Sequence, residues 1–174
     1  EMSASLVGSE MCIRDSYYGD KAEELLHAVW AYGGEQIKKG VPCKPGLKEL
    51  LSYLEDLGMP RIVASSSPRT MVELNLQTTG TARYFHDIVC GNEVKLCKPA
   101  PDIFLEAARR IKVDIHDCMV LEDSHNGIRA GHASGAETVM VPDLLPVTDE
   151  MRSLYDDCCK DLFEVKAKME QGVL

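Results

Sequence analysis

Short apolar runs alternate with amphipathic stretches along the chain from about residue 60 onward. Buried strands are predicted at Ile62–Ala64, Ile88–Cys90, Cys118–Leu121 and Thr138–Val141. Helices are predicted at about Thr70–Thr78, Asp102–Lys112 and Asn126–Ser134. Continuous apolar strands that alternate with helices are typical of a parallel sheet covered by helices on both faces. The pattern therefore predicts an α/β fold.

Helical patterns also precede and follow this alternation. Apolar residues recur at helical spacing over Lys21–Lys39, where Asp20 and Glu23 form a capping-box-like start and Gly33-Gly34 predicts an interruption. Gly40–Gly46 contains two prolines and is typical of a linker between subdomains. Further helices are predicted at Leu47–Leu54, ended by Gly58, at Thr148–Tyr155 and at Leu162–Gln171.

The first sixteen residues have no helical or strand period and lead into no predicted element. The run from Leu6 to Ser16 resembles one reading frame of a common transposase sequencing adapter. The alternative is a natural disordered leader. We expect residues 1–16 to be a disordered adapter artefact, so that the natural sequence starts near Tyr17 and its true beginning is lost.

Composition narrows the class of protein. A chain of 174 residues with 45% hydrophobic content is long enough for one buried core. A net charge of −9 disfavours nucleic acid as a main partner, because nothing neutralises a phosphate backbone in bulk. The seven cysteines form no Cys-x-x-Cys pair and suggest neither a zinc site nor a disulfide framework. Without a membrane-span pattern or a secretory signal pattern, we expect a cytoplasmic protein with no membrane partner.

Polar residues follow three of the predicted strands, where ligands bind in an open parallel sheet. Ser65-Ser66-Ser67 follows the first strand and enters a helix, so its hydroxyl and N–H groups could hold phosphate oxygens. A serine-rich turn is equally an ordinary helix cap. Lys98 precedes Pro99 and is therefore held in an extended loop, where it could neutralise a phosphate or a carboxylate pair or simply be solvated.

Glu122-Asp123 ends the third apolar strand. Two adjacent carboxylates are not buried cheaply without a cation, and Mg²⁺ is the hard, oxygen-seeking ion of phosphoryl chemistry. The alternative is that Asp123 caps the helix that begins near Asn126.

Taken together, Ser65, the string Lys98-Pro-Ala-Pro-Asp-Ile-Phe and the string Leu121-Glu-Asp-Ser-x-Asn-Gly resemble the second, third and fourth motifs of the haloacid-dehalogenase superfamily. The resemblance is to its β-phosphoglucomutase-like branch and covers about Tyr17 to the C-terminus. It implies a phosphatase or phosphomutase that works through an aspartyl-phosphate on a small phosphorylated metabolite, such as a sugar phosphate or nucleotide, and that is a monomer when intact.

The resemblance also implies a role for each matching residue. Ser65 and the N–H of Ser66 would bind the phosphoryl oxygens, and Lys98 would stabilise the nucleophile and the charge on the transferring group. Asp123 with Glu122 would hold Mg²⁺. Ser67 and Arg69 would face the far end of the substrate.

The family's first motif, Asp-x-Asp-Gly-Thr or similar after an apolar strand, is absent, and neither Asp15 nor Asp20 fits it. Its two aspartates are the nucleophile and the general acid/base. In the family its strand lies between those ending at Ser65 and Leu121, so we expect a gap or a false pairing there.

The resemblance divides the chain, and four interpretations of its function stay open. Residues 17–41 would hold the last helix of a helical cap, and residues 42–174 a core without its first strand. We expect the parent to be a Mg²⁺-dependent phosphatase and the chain as given to be inactive. The alternatives are a sugar phosphomutase, a phosphate-binding protein without catalysis, and a receiver-like phospho-acceptor domain.

Overall fold

Helices and parallel strands alternate through the computed structural model, which describes residues 22–174. In chain order the elements are α1 (Ala22–Lys38), α2 (Leu47–Asp56), β1 (Ile62–Ser65), α3 (Arg69–Thr79), β2 (Asp87–Cys90), α4 (Asp102–Ile111), β3 (Met119–Glu122), α5 (His125–Ser134), β4 (Glu137–Met140), α6 (Asp149–Arg152), β5 (Asp157–Cys158) and α7 (Leu162–Glu170). The α/β prediction is confirmed. The expectation for residues 1–16 lies outside the described residues, as does Asp20 of the capping box.

All strand pairs are parallel, but the strands form two sheets instead of one. One sheet pairs β1 with β2 and places Ser65 opposite Cys90. The other has the order β3-β4-β5 and places Glu122 opposite Met140. Within residues 22–174, β1 and β3 do not pair with each other. Of the two outcomes expected at this point, the described residues show a gap and not a false pairing.

The strands that border this gap are less buried than their outer neighbours. All four residues of β1 are only partly buried, and Leu121 in β3 is 37% exposed. Val89 in β2 and Val139 in β4, by contrast, are fully buried. The central strands of a parallel α/β sheet are normally covered on both faces and are its most buried strands. Here β1 and β3 are instead less buried than β2 and β4. Within residues 22–174, no strand pairs with the second edge of β1 or with the second edge of β3.

Helices cover both faces of the strands. On one face, α4 and α5 form a core with β2 and β3, made of Val89, Ile103, Phe104, Ala107, Val120, Ala130 and Ala136. On the other face, α2 and α7 pack against β4 and its end through Leu50, Val139, Val141, Cys159, Leu162 and Val165. Within β4, Val139 and Met140 join different clusters, as the alternation of side chains along a strand requires. Burial on both faces explains why Val139, Met140 and Val141 form a continuous apolar run.

Helix α1 runs without a break through Gly33-Gly34, so the expected interruption is wrong. The reason is a close approach of α1 to α3. A Cβ added at Gly33 would lie 3.3 Å from Cε of Met71, which is tighter than ordinary van der Waals contact. Glycine costs about 1 kcal/mol relative to alanine inside a helix, and here its missing side chain makes room for a neighbouring helix.

The structure differs from the predictions at two other places, both in the C-terminal part of the chain. The helix expected over Thr148–Tyr155 is a single turn, α6, and the two-residue strand β5 that follows was not expected. Backbone bonds from Asp156 N to Thr138 O and from Cys159 N to Met140 O attach β5 to β4. A strand of two residues is too short to show a period in the sequence.

Residues 22–174 contain six of the seven cysteines. Cys43, Cys90, Cys97, Cys118, Cys158 and Cys159 are all free thiols. Burial raises the pKa of the Cys90 thiol, which packs as a small apolar side chain. None of the helices found in residues 22–174 has the length and apolarity that crossing a membrane needs.

Candidate active site

Lys98 connects the carboxyl ends of β1 and β3. Its Nζ donates a hydrogen bond of 3.2 Å to the carbonyl oxygen of Ala64, which precedes Ser65. The same Nζ donates to Oε1 of Glu122, which precedes Asp123. Ser65, Lys98 and Asp123 therefore meet at one edge of the fold, where ligands bind in parallel sheets.

The ion pair between Lys98 and Glu122 is buried. Their side chains are 8% and 9% exposed. The ammonium also lies 4.7 Å from the centre of the Phe104 ring, a distance at which a cation is attracted to the ring face. Asp102 accepts a hydrogen bond of 3.2 Å from the N–H of Leu96, which ties the loop that carries Lys98 to the start of α4. Lys98 is thus a positioned charge and not a solvated loop lysine.

The second oxygen of Glu122 is engaged as well. Oε2 accepts bonds from the N–H of Asp123 at 3.2 Å, the N–H of Ser124 at 3.3 Å and the hydroxyl of Ser124 at 3.0 Å. Both oxygens of Glu122 therefore serve the protein itself. This differs from the expectation that Glu122 holds a metal ion with Asp123, because its carboxylate is turned toward Lys98 and its own loop.

Gly127 leaves the space that the Glu122 carboxyl group occupies, since a Cβ at this position would overlap that group. We expect Gly127→Ala to displace Glu122 from Lys98 and to lower the free energy of unfolding by about 1–3 kcal/mol, as overpacking does. Urea denaturation followed by circular dichroism measures the change. Gly34→Ala is the matched control, because its Cβ would lie 3.6 Å from Met71 Sδ and should stabilise α1 by about 0.5–1 kcal/mol. Equal effects of the two substitutions would contradict this account.

Ser124, and not Asp123, caps α5. Its Oγ accepts a hydrogen bond of 3.0 Å from the N–H of Gly127. This is the standard contact of an N-cap serine with the first turn. The capping role considered for Asp123 is therefore filled by its neighbour, and the Asp123 carboxylate is left for other contacts.

Asp123 lies in a place that disfavours its negative charge. Burial raises its pKa above the ordinary value of 3.8, and the charges of Glu122 and Asp143 raise it further, while Lys44 lowers it. A half-buried carboxylate among negative neighbours gains stability from a bound cation. The local chemistry at Asp123 therefore fits Mg²⁺. Among residues 22–174, however, no group of three or more His, Cys, Asp or Glu side chains is placed to hold a metal ion.

The pKa of Asp123 predicts a stability effect with a definite sign. Because the folded pKa is raised, the charged carboxylate destabilises the fold above that pKa, and the penalty disappears below the unfolded value of 3.8. We expect Asp123→Asn to raise the temperature of unfolding at pH 7 and to have a smaller effect as the pH falls toward about 4. Thermal unfolding at a series of pH values checks this. A lower unfolding temperature for the variant at pH 7 would refute it.

Two residues that the sequence analysis did not single out stand next to Asp123. Lys44 Nζ lies 3.5 Å from an oxygen of Asp123 and 3.6 Å from an oxygen of Asp143. The sequence contains a feature that could have identified each of these two residues. Lys44 precedes a proline, as Lys98 does, and Asp143 follows the carboxyl end of β4, where the rule applied to the other strands would have found it.

The serine turn lies at the end of β1 as predicted. The Oγ of Ser65 accepts a hydrogen bond of 3.1 Å from the N–H of Ser67. A hydroxyl that accepts still has its own proton to donate, so Ser65 remains able to bind a phosphate oxygen. Ser66 and Ser67 continue the turn that enters α3. Their contacts with a substrate stay predictions.

Arg69 is placed differently from the expectation. Its guanidinium donates to Glu93 at 2.8 Å and to the carbonyl oxygen of Ile88 at 2.6 Å. Arg110 donates to the other oxygen of Glu93 at 2.8 Å. The arrangement stabilises the charge of Arg69, whose pKa is raised mainly by its bond to Glu93. In the described structure Arg69 thus contacts Glu93 and Ile88 beside β2, and its contact with a substrate stays a prediction.

Sequence comparison relates the chain to a family of hydrolases. The profile of the haloacid dehalogenase-like hydrolase family matches residues 5–135. A bifunctional riboflavin kinase/FMN phosphatase of Arabidopsis thaliana is 38% identical over 147 residues, which are 84% of this chain and 38% of that protein. A probable pseudouridine-5'-phosphatase of Drosophila melanogaster is 42% identical over 115 residues, or 63% of this chain and 50% of that protein. The chain thus spans half or less of the length of these two relatives.

Structural comparison finds the same architecture. A β-phosphoglucomutase of Clostridium difficile superposes with a TM-score of 0.76 and 21% identity. The alignment covers 91% of this chain and 69% of that structure. At this identity the likeness concerns the fold, and it matches the parallel α/β architecture described above.

Proposed function

Because the chain belongs to the haloacid dehalogenase-like hydrolase family, we propose that the intact protein is a Mg²⁺-dependent phosphatase that acts through an aspartyl-phosphate. The substrate class is a small phosphorylated metabolite, such as a sugar phosphate or a nucleotide. The observation that carries the proposal is the position of Lys98, which joins the ends of β1 and β3 beside Ser65 and Asp123. The phosphatase names of the two sequence relatives support the same class.

In this proposal, Ser65, Lys98 and Asp123 would each make a different contribution to binding a phosphoryl group. The Ser65 hydroxyl donates to one phosphoryl oxygen, and the N–H groups of the following turn lie at the start of α3, where an anion is favoured. The Lys98 ammonium offsets the negative charge that grows on the transferring group. Asp123 would hold Mg²⁺, with Glu122 reserved for keeping Lys98 in place. When bound, the metal ion supplies a further positive charge to the phosphoryl oxygens.

The attacking aspartate would come from outside the described residues. The chain contains no Asp-x-Asp-Gly-Thr sequence, so we propose that the chain as given does not turn over substrate. We place the first-motif strand of the intact protein in the gap between β1 and β3, next to Lys98. The partly buried β1 and the exposed Leu121 support this placement. In the same arrangement, α1 would be the last helix of the cap.

A sugar phosphomutase is the second candidate, since the β-phosphoglucomutase of Clostridium difficile shares the fold. A mutase must hold its bisphosphorylated intermediate in two orientations and returns the phosphoryl group to the sugar. A phosphatase instead passes it to water. The two reactions therefore differ in whether inorganic phosphate accumulates.

Phosphate release by the intact protein tests the proposal. The protein is assayed with FMN, pseudouridine 5'-phosphate, hexitol phosphates and hexose phosphates, with Mg²⁺ and with a chelator. We expect inorganic phosphate to be released from at least one of these classes of substrate. We expect the release to stop when the chelator removes Mg²⁺. Interconversion of hexose phosphates without phosphate release would favour the mutase. Binding of phosphate esters without either reaction would favour a non-catalytic protein and overturn the proposal.

A further inference from the structure

Lys44 places its ammonium among three oxygen atoms from two other segments. Nζ lies 3.5 Å from Oδ2 of Asp123, 3.6 Å from Oδ2 of Asp143 and 3.4 Å from the carbonyl oxygen of Val141. Asp123 follows β3, whereas Val141 and Asp143 follow β4. The three distances are similar, and none is as short as a strong charged hydrogen bond. The ammonium is therefore shared among the three oxygens and not committed to one of them.

The backbone around Lys44 is fixed from both sides. The carbonyl oxygen of Pro45 accepts a hydrogen bond of 3.1 Å from the N–H of Leu162, at the start of α7. Gly46 has a φ of 85°, which disfavours residues with a side chain, and a Cβ there would overlap the backbone of α7. Both contacts hold the segment before α2 in place. They keep the Lys44 side chain within reach of Asp123.

The oxygens around Lys44 are held in place as well. The N–H of Val141 donates a hydrogen bond of 2.7 Å to the carbonyl oxygen of Glu122, which joins the end of β4 to the end of β3. Asp123 and Asp143 are thereby brought to the same ammonium. Two carboxylates and a carbonyl are the hard oxygen donors that Mg²⁺ and Mn²⁺ prefer. The same oxygens could thus receive either an ammonium group or a divalent cation.

We propose that Lys44 and Asp143 are positioning residues of the cation site, and that a divalent cation reaches Asp123 by displacing the ammonium of Lys44. The inference rests on the proposed function, in which Asp123 holds Mg²⁺. Lys44 would neutralise the two carboxylates while the cation is absent. Its side chain is 35% exposed and has four flexible methylenes, so it can turn toward solvent when two further positive charges arrive.

This arrangement makes the affinity for a cation depend on two residues beyond Asp123. Removing the Lys44 ammonium removes a competitor, so Lys44→Met should bind divalent cations more tightly. Lys44→Arg keeps the competing charge and should behave like the unmodified chain. Asp143→Asn removes one oxygen anion and should bind more weakly. Substituting a residue next to a metal ligand typically changes the metal affinity by about 10- to 100-fold. We expect the increase for Lys44→Met and the decrease for Asp143→Asn to be of this size.

Titration of the 174-residue chain with Mn²⁺, with free Mn²⁺ read by electron paramagnetic resonance, tests the inference without an activity assay. Lys48→Met is the matched control, because Lys48 is an exposed lysine of α2. Circular dichroism confirms that each variant is folded. The expected result is about tenfold tighter binding for Lys44→Met, about tenfold weaker binding for Asp143→Asn and no change for Lys48→Met or Lys44→Arg. Unchanged or weaker binding by Lys44→Met overturns the inference.

Two further results separate this inference from the proposed function. If Asp123→Asn binds Mn²⁺ as tightly as the unmodified chain, the metal assignment of the proposed function fails, and displacement of Lys44 at Asp123 fails with it. If no variant binds Mn²⁺, a double-mutant cycle of Lys44→Met and Asp123→Asn in thermal unfolding decides whether Lys44 is the counter-ion. Coupled effects support that part of the inference, and additive effects overturn it.

Discussion

Lys98→Met is expected to lower the free energy of unfolding by about 3–5 kcal/mol, since it leaves the Glu122 carboxylate buried without its partner. Methionine keeps most of the side-chain volume, so the loss reflects the charge and not a cavity. The variant also loses the hydrogen bond to Ala64, which joins the end of β1 to the rest of the site. Urea denaturation followed by circular dichroism measures the change in the 174-residue chain.

Two comparisons isolate the ion pair. Lys95 lies in the same loop and is exposed, so Lys95→Met should change stability by about 0.5 kcal/mol or less. The double variant Lys98→Met with Glu122→Gln removes both charges and should recover much of the loss, because an uncharged buried pair avoids the desolvation of an isolated ion. If Lys98→Met is as harmless as Lys95→Met, Lys98 does not connect the two sheets in solution.

The second large effect concerns catalysis by the intact protein. We expect Asp123→Asn to reduce metal-dependent phosphate release by about 10²–10³-fold, the usual size of losing one charge-stabilising contact in the transition state. The amide keeps the shape of the carboxylate but gives up the charge that attracts Mg²⁺. Turnover is measured at saturating substrate over a range of Mg²⁺ concentrations.

Asp149→Asn is the control for this substitution, because Asp149 is a fully exposed carboxylate at the start of α6. It should leave turnover unchanged. If Asp123→Asn retains turnover at low Mg²⁺, the metal assignment is refuted. The same substitution is expected to stabilise the chain at pH 7, so activity and stability should move in opposite directions. That combination is typical of a residue kept for chemistry at some loss of stability.

The candidate site thus combines two kinds of charged group. Lys98 and Glu122 are nearly buried and neutralise each other, which makes them part of the framework. Asp123 and Lys44 are partly exposed, and their contact of 3.5 Å is loose. A rigid pair next to an exchangeable one suits a site that must hold a phosphoryl group firmly and bind a cation reversibly.

By itself, the sequence determined the kinds of element and their order. Short apolar runs and a helical period of 3.6 depend on neighbouring residues, and they predicted β1, β2, β3 and β4 and helices α2, α3, α4, α5 and α7 to within a few residues at each end. The rule that ligands bind at the carboxyl ends of parallel strands then predicted that Ser65, Lys98 and Asp123 would meet. The family motifs pointed to the same three residues.

Only the tertiary structure decided which charges are partners. Glu122 turns to Lys98, which is 24 positions away, and Arg69 turns to Glu93, which is also 24 positions away. Lys44 reaches Val141 over a separation of 97 residues and comes to lie between Asp123 and Asp143. A charged side chain pairs with whatever the fold brings within a few ångströms, because electrostatic attraction depends on distance in space. A local sequence pattern contains no information on the distance in space between two residues that are far apart in the chain.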